Sequence, residues 1–191
     1  MTPKIAVFCS GYGSNFQAIL NAVKHKHLKA DVAVMVCDDP KAFAIRRALK
    51  AGIPIVVASP KLFSSRTDYE KFVVGVLRSQ KVGVVVLAGF MRILTPYFIK
   101  AYRGRILNIH PSFLPAFKGA HAIRDAFEAD VRETGVTVHR VTDELDAGPI
   151  ILQEKVKVRR GDTLASLEKR IHKVEHRLYP RAIALLARRW G

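Results

Sequence analysis

The chain has 191 residues, 49% hydrophobic and 25% charged, which excludes a disordered or low-complexity polymer and fits one globular core. Its 32 Lys and Arg against 16 Asp and Glu give a formal net charge of +16, so nucleic acid, an anionic membrane and anionic small substrates all stay open as partners. Cys9 and Cys37 each close an apolar run and no Cys/His cluster has zinc spacing, which predicts buried thiols, no disulfide, no metal and a reducing cytoplasm.

Residues 4–9 read as a buried strand, too short to span a bilayer and preceded by no signal-peptide pattern. A tight turn over residues 10–13 follows. Ser14 or Asn15 then caps a helix whose Phe16, Ile19, Leu20 and Val23 fall at helical spacing. Residues 33–37 are a second buried strand ended by Asp38, Asp39 and Pro40. A short helix over 42–51 stops at Gly52, and a third strand covers 55–57. Residues 69–77 carry another helical pattern, and the β-branched run 84–87 is a fourth buried strand. A fifth strand over 106–109 ends at His110 and Pro111, the proline enforcing an extended residue before it. Residues 123–127 sit in a helix, 136–141 and 150–158 are two further strands, and 163–186 is helical with an interruption near Pro180.

Strands alternating with helices predict right-handed βαβ units and a parallel sheet. The short link between the last two strands adds an antiparallel neighbour. The expectation is a single α/β domain over residues 1–191, Rossmann-like and doubly wound, mostly parallel, with an antiparallel strand near the C-terminus.

The charge is unevenly spread. Residues 155–191 hold 11 Lys/Arg against 3 Asp/Glu, whereas residues 125–154 hold 8 acids against Arg132 and Arg140. Arg159-Arg160 and Arg188-Arg189 are the densest points, the latter followed by Trp190, yet no aromatic residues interleave with them as a stacking platform requires. This favours solvated helix faces over a polyanion site.

In open α/β sheets ligands bind outside the carboxyl ends of the strands. That rule selects residues 10–15, 38–39, 88–94 and 110–119. The turn after Val141 must reach the same edge by its own connection. Gly11, Gly13, Ser14 and Asn15 after a strand and before a helix suit a phosphate, and a plain strand-to-helix turn is the competing reading. As a dinucleotide fingerprint the motif fails, because Phe16 stands where a third glycine belongs, although Asp38 would suit a ribose contact. Asn108 and His110 lie two apart in a strand and therefore share a face, which suits oxyanion stabilisation and proton transfer. His121 and His139 remain other candidates. Asp143, Glu144 and Asp146 before Gly148-Pro149 read either as a solvated turn or as the source of a carboxylate folded back onto His110, which would orient an imidazolium. Phe90, Met91, Arg92, Ile93 and Leu94 read either as core packing or as a slot for a flat, partly polar ligand.

Together, residues 10–15, 88–94, 108–112 and 143–149 resemble, in order and spacing, the phosphoribosylglycinamide formyltransferases of the folate-dependent formyltransferase family, over nearly the whole chain. The Asn-x-His-Pro-Ser motif with a later Asp is shared by formyltetrahydrofolate enzymes broadly, and the Gly-Ser-Asn turn with the compact length narrows the resemblance. It implies formyl transfer from 10-formyltetrahydrofolate, as co-substrate, to the amine of glycinamide ribonucleotide in purine synthesis, without a metal. It implies Asn108, His110 and Asp146 as the catalytic trio. Gly13, Ser14, Asn15 and Glu175 would hold the ribonucleotide. Arg66, Met91, Arg92, Ile93, Leu94 and Asn108, with the turn Thr142, Asp143, Glu144, Leu145 and Asp146, would meet the folate, and His139 would support the trio. His172, Val174 and Ala147 depart from residues frequent in relatives. A relative acting on initiator transfer RNA would carry a further C-terminal domain and a deformylase a further N-terminal one, so the length favours neither. The partners expected are these small molecules, with no membrane, nucleic acid disfavoured, and a monomer or homodimer. A non-enzymatic RNA-binding module is the rival from another class.

Overall fold

The first strand is apolar on both sides, and only a sheet covered by helices on both faces can bury it. The computed structural model describes residues 2–190, with the side chains of Arg188, Arg189 and Trp190 outside the described residues. Its elements run β1 (Lys4–Cys9), α1 (Ser14–Lys24), β2 (Asp31–Cys37), α2 (Ala44–Ala51), β3 (Ile55–Val57), α3 (Arg66–Ser79), β4 (Val84–Leu87), α4 (Pro96–Ala101), β5 (Ile106–His110), α5 (Ala122–Glu128), β6 (Glu133–Arg140), β7 (Ile150–Lys157) and α6 (Leu164–Trp190).

The strands form one sheet of order β3-β2-β1-β4-β5-β6-β7. The first five in that order pair in parallel, and β6 pairs antiparallel with both β5 and β7. The doubly wound, mostly parallel sheet is therefore the one the alternation of elements predicts. Alternate residues of each strand feed two cores. Ile5, Val7, Cys9, Val84, Val86, Leu107 and Ile109 pack with α1 and α6. Ala6, Phe8, Val85, Leu87 and Ile106 pack with α3 and α4 on the other face. Both cysteines are buried and free, and burial raises the Cys9 thiol far above its ordinary range. Among the described residues, no helix is long and apolar enough to cross a membrane.

Three local features differ from the sequence reading. Gly13 at φ +72° precedes α1, and neither Ser14 nor Asn15 caps it; the Asn15 amide is instead engaged by a distant carboxylate. Pro180 lies inside an unbroken α6, because packing of that helix along the sheet outweighs one lost backbone bond. The short helix α4 escapes the apolar pattern because its six residues are fewer than two turns.

The strand order reverses direction between β1 and β4, opening a crevice at their carboxyl ends. Tyr179 of α6 locks this edge: its buried hydroxyl donates to the Leu87 carbonyl at 2.8 Å and the Leu107 carbonyl at 3.1 Å. We expect Tyr179→Phe to cost about 1–2 kcal/mol by stranding these acceptors. Thermal unfolding would show a melting temperature lowered by roughly 3–6 °C, and a variant melting with wild type would contradict the tether.

Candidate active site

Asn108 and His110 leave β5 on the side of Ile106, as residues two apart in a strand must. The carboxylate facing them comes from the turn joining β6 to β7. Asp146 holds φ +49°, a left-handed conformation that Asp tolerates better than most residues. Two residues on, a Cβ on Gly148 would fall 1.8 Å from the Arg140 carbonyl oxygen. Only glycine lets the turn fold back this closely.

The fold-back sets Asp146 Oδ2 3.4 Å from His110 Nδ1 and Oδ1 3.5 Å from His139 Nε2. The Gly119 N–H donates to Oδ2 at 3.0 Å. Burial alone would raise the Asp146 carboxyl, but the hydrogen bonds from His139 and Gly119 and the neighbouring imidazoles outweigh it, bringing the pKa down to about 2. Asp146 is thus an anion at any working pH. His110 Nε2 lies 2.7 Å from the Phe117 carbonyl oxygen, which can only accept, so Nε2 carries a proton. With a carboxylate at Nδ1, both ring nitrogens face acceptors. The Asn108 amide lies 3.2 Å from His139 Nε2, while His139 Nδ1 donates to the Arg140 carbonyl at 3.0 Å. His139 is buried beside the trio, whereas His121 stays exposed at the start of α5.

A cavity of ≈ 370 Å³ opens over these groups, its wall combining Met91, Ile93 and Leu145 with Asn108, His110 and Asp146. That size suits a small organic ligand. Residues 88–95 have no regular structure; backbone bonds at Ala88 and Gly89 hold their start, and side chains from elsewhere hold the rest. The Met91 N–H donates to Ser10 Oγ at 2.9 Å, Arg66 donates to the Ile93 carbonyl, and Arg92 pairs with Asp38. Arg66 stands outside the cavity wall and touches it through that carbonyl. Leu94 is buried in the core, while Met91 and Ile93 are exposed. In the facing turn, Thr142, Asp143, Glu144 and Leu145 are exposed and Asp146 alone of the three acids is buried. Glu144 pairs with Lys118 at 3.2 Å.

The second cluster lies across the edge. A Cβ on Gly13 would meet the Ala44 Cβ at 2.7 Å, so the turn before α1 packs tightly on α2. Ser14 and Asn15 form the first turn of α1, whose free N–H groups favour an anion. Glu175 on α6 is 3% exposed, and its Oε2 accepts from Asn15 Nδ2 at 3.1 Å and His172 Nδ1 at 2.7 Å. That Glu175 hydrogen bond raises the His172 pKa, against burial, which lowers it. These residues stay outside the wall of the ≈ 370 Å³ cavity. A larger groove of ≈ 900 Å³ between α1 and α6 includes Ser14, His176 and Arg181 but no member of the trio. Asn108, His110 and Asp146 therefore all line the smaller cavity.

Sequence reasoning missed Glu70 and the Gly119 amide. Glu70 is 3% exposed, and its carboxylate accepts from the Thr95 N–H at 2.8 Å and from the Thr95 hydroxyl. An acid on an amphipathic helix carries no local mark of such burial, and a backbone N–H carries none at all. Phe16 is fully buried and Asp38 is occupied by Arg92, so the features that suggested a dinucleotide have other uses.

The formyl transferase family model matches residues 3–183. The chain is 44% identical to phosphoribosylglycinamide formyltransferase of Bacillus subtilis (strain 168), over 96% of this chain and 94% of that protein. It is 46% identical to the trifunctional purine biosynthetic protein adenosine-3 of Gallus gallus, over 96% of this chain but 18% of that protein. The crystal structure of glycinamide ribonucleotide transformylase 1 from Geobacillus kaustophilus superposes with a TM-score of 0.96 at 45% identity, covering 100% of both chains. Matched length and superposition agree: the chain belongs to the formyl transferase family.

Proposed function

We propose that this chain transfers the formyl group of 10-formyltetrahydrofolate to the amine of N1-(5-phospho-D-ribosyl)glycinamide, a step of purine synthesis, releasing tetrahydrofolate. The observation that carries this reading is the buried Asp146 carboxylate set against His110, with Asn108 on the same strand face. The names of its relatives, a phosphoribosylglycinamide formyltransferase and a trifunctional purine biosynthetic protein, support the same substrates.

The ribonucleotide phosphate sits at the start of α1 on Gly13, Ser14 and Asn15, with Glu175 holding the same substrate. The folate lies in the cavity along Met91, Arg92, Ile93 and Leu94, reached by Arg66 through its loop contact. The turn carrying Thr142, Asp143, Glu144, Leu145 and Asp146 closes the opposite side. The substrate amine attacks the formyl carbon, and the carbonyl electron pair moves to oxygen. The amide of Asn108 stabilises that oxyanion, joined by His110 once its Nε2–H leaves the Phe117 carbonyl. Collapse breaks the bond to folate N10, and the proton lost by the amine reaches N10 as Asp146 supports the histidine through transfer. His139 steadies Asn108 and Asp146. Residues 1–191 work as one domain, the N-terminal half binding the phosphate and the C-terminal half completing the folate and catalytic sites. The chain works in the cytoplasm as a monomer or homodimer.

Incubation with both substrates should yield formylated ribonucleotide and tetrahydrofolate; folded protein giving neither would defeat the assignment. His110→Ala and Asp146→Asn should each lower kcat by about 10²–10⁴-fold with the fold intact. Near-normal turnover in both would remove the trio from the mechanism.

His172 adds a pH signature, because its charge is present below its raised pKa and lost above it. The KM for the ribonucleotide should rise as pH passes through that pKa. His172→Gln should raise KM several-fold at pH 6 and converge with wild type by pH 9, as expected when the charge-assisted contact from His172 to Glu175, which holds that substrate, is removed. Parallel profiles for the two proteins would exclude the contact.

A further inference from the structure

We propose that Asp38 is a positioning residue for the formyl donor: through its ion pair with Arg92, it holds residues 89–94 in the form that walls the catalytic cavity. The inference rests on that cavity being the formylfolate site.

In a doubly wound sheet, an acid at the end of the second strand is placed to hold the ribose of a dinucleotide. Here Asp38 directly follows β2, is 6% exposed, and is occupied from within by the Arg92 guanidinium, 54 residues away in the chain. Arg92 is the only cation paired with this carboxylate among the described residues. Asp38 Oδ1 has no hydrogen-bond partner, and neither has the buried hydroxyl of Tyr69. Burial raises the Tyr69 phenol, and the charge of Asp38 raises it further. A carboxylate so buried holds its counter-ion firmly, because releasing it leaves an uncompensated charge.

That firmness matters because the segment has no ladder of its own. Its other anchors are the Ser10 N–H on the Gly89 carbonyl at 3.0 Å, the Ser10 hydroxyl on the Met91 N–H, the Arg66 guanidinium on the Ile93 carbonyl, and Glu70 on Thr95. Asp38 supplies the anchor for Arg92, between the two residues whose exposed side chains line the cavity. Releasing Arg92 loosens the wall on the folate side. The ribonucleotide cluster of Gly13, Asn15 and Glu175 rests on other contacts. The effect should therefore fall on one substrate only.

The test uses full-length wild type, Asp38→Asn, Asp38→Glu, Arg92→Gln and the double variant Asp38→Asn/Arg92→Gln. Steady-state kinetics give KM for each substrate, calorimetry gives Kd for tetrahydrofolate, and thermal unfolding gives Tm. Asp38→Asn should raise both the donor KM and the tetrahydrofolate Kd about tenfold, with the ribonucleotide KM within about twofold. Asp38→Glu, which keeps the charge, should stay within about threefold of wild type. In the Arg92→Gln background, Asp38→Asn should add less than about twofold, since it acts through a partner already removed. Arg92→Gln alone should melt lower than the double variant, because it strands the buried carboxylate.

Multiplying effects of the two substitutions would overturn the proposal, as would equal weakening of both substrates or a tetrahydrofolate Kd unchanged in Asp38→Asn. Should Asp38→Asn fail to fold, Arg92→Gln removes the same ion pair, and an unchanged tetrahydrofolate Kd there would overturn it equally. Wild type that neither turns over nor binds tetrahydrofolate would instead defeat the underlying assignment. Wild type that binds tetrahydrofolate leaves the calorimetric comparison decisive whatever its turnover.

Discussion

The Asp146 carboxylate is the point on which the site depends. It is an anion removed from water, and such a group must be surrounded by donors or it does not stay ionised. Meeting that demand draws four separate pieces of chain together: the turn that carries it, His110 of β5, His139 of β6, and the amide of Gly119. The left-handed backbone at Asp146 and the obligatory glycine at 148 are consequences of bringing the turn this far back. The same contacts order the His110 ring, since the anion that orders the turn also faces its Nδ1.

The pattern recurs around the cavity edge. Among the described residues, the buried carboxylates are Asp38, Glu70, Asp146 and Glu175, and each holds a piece of the site. Asp38 holds Arg92, Glu70 holds Thr95, and Glu175 holds Asn15 and His172. Irregular segments lack ladder hydrogen bonds, so their positions must come from side chains; a buried charge is the strongest constraint a side chain offers. Acids are thus spent inward at the edge of the sheet, and this accounts for part of the basic surface. Pairs such as Lys155 with Glu133 remain exposed and contribute little to stability. A cationic exterior can steer anionic substrates, though neither the trio nor its carboxylate needs +16 to work.

Much of the fold was legible in the chain because its signals are local. The β-branched run 84–87, the apolar strand at 4–9, and Gly52 after a short helix appear where they were read. Pro180 misled because a proline's local preference was overruled by long-range packing of α6, which no short window contains. The cap before α1 misled for a related reason: the Asn15 side chain had a better partner 160 residues away. The Asn108/His110 pair was readable from strand period alone. Which of three acids in the turn would meet it came from the family resemblance and not from the local residues, since Asp143 and Glu144 differ from Asp146 only in where the backbone points them.

By itself the sequence determined the alternation of strands and helices, the sheet they imply, the strand face shared by Asn108 and His110, and a family resemblance over nearly the whole chain. Periodicity and turn chemistry act over a few residues, so they survive translation into one dimension. The resemblance pointed to Asp146 and His139, and the tertiary structure supplied the contacts that bury them together and alone decided that Asp38 serves Arg92 instead of a ribose. Those outcomes depend on desolvation. Whether an ionisable group is costly or useful is settled by which distant segments close over it, and that is a property of the folded edge, not of any stretch of chain.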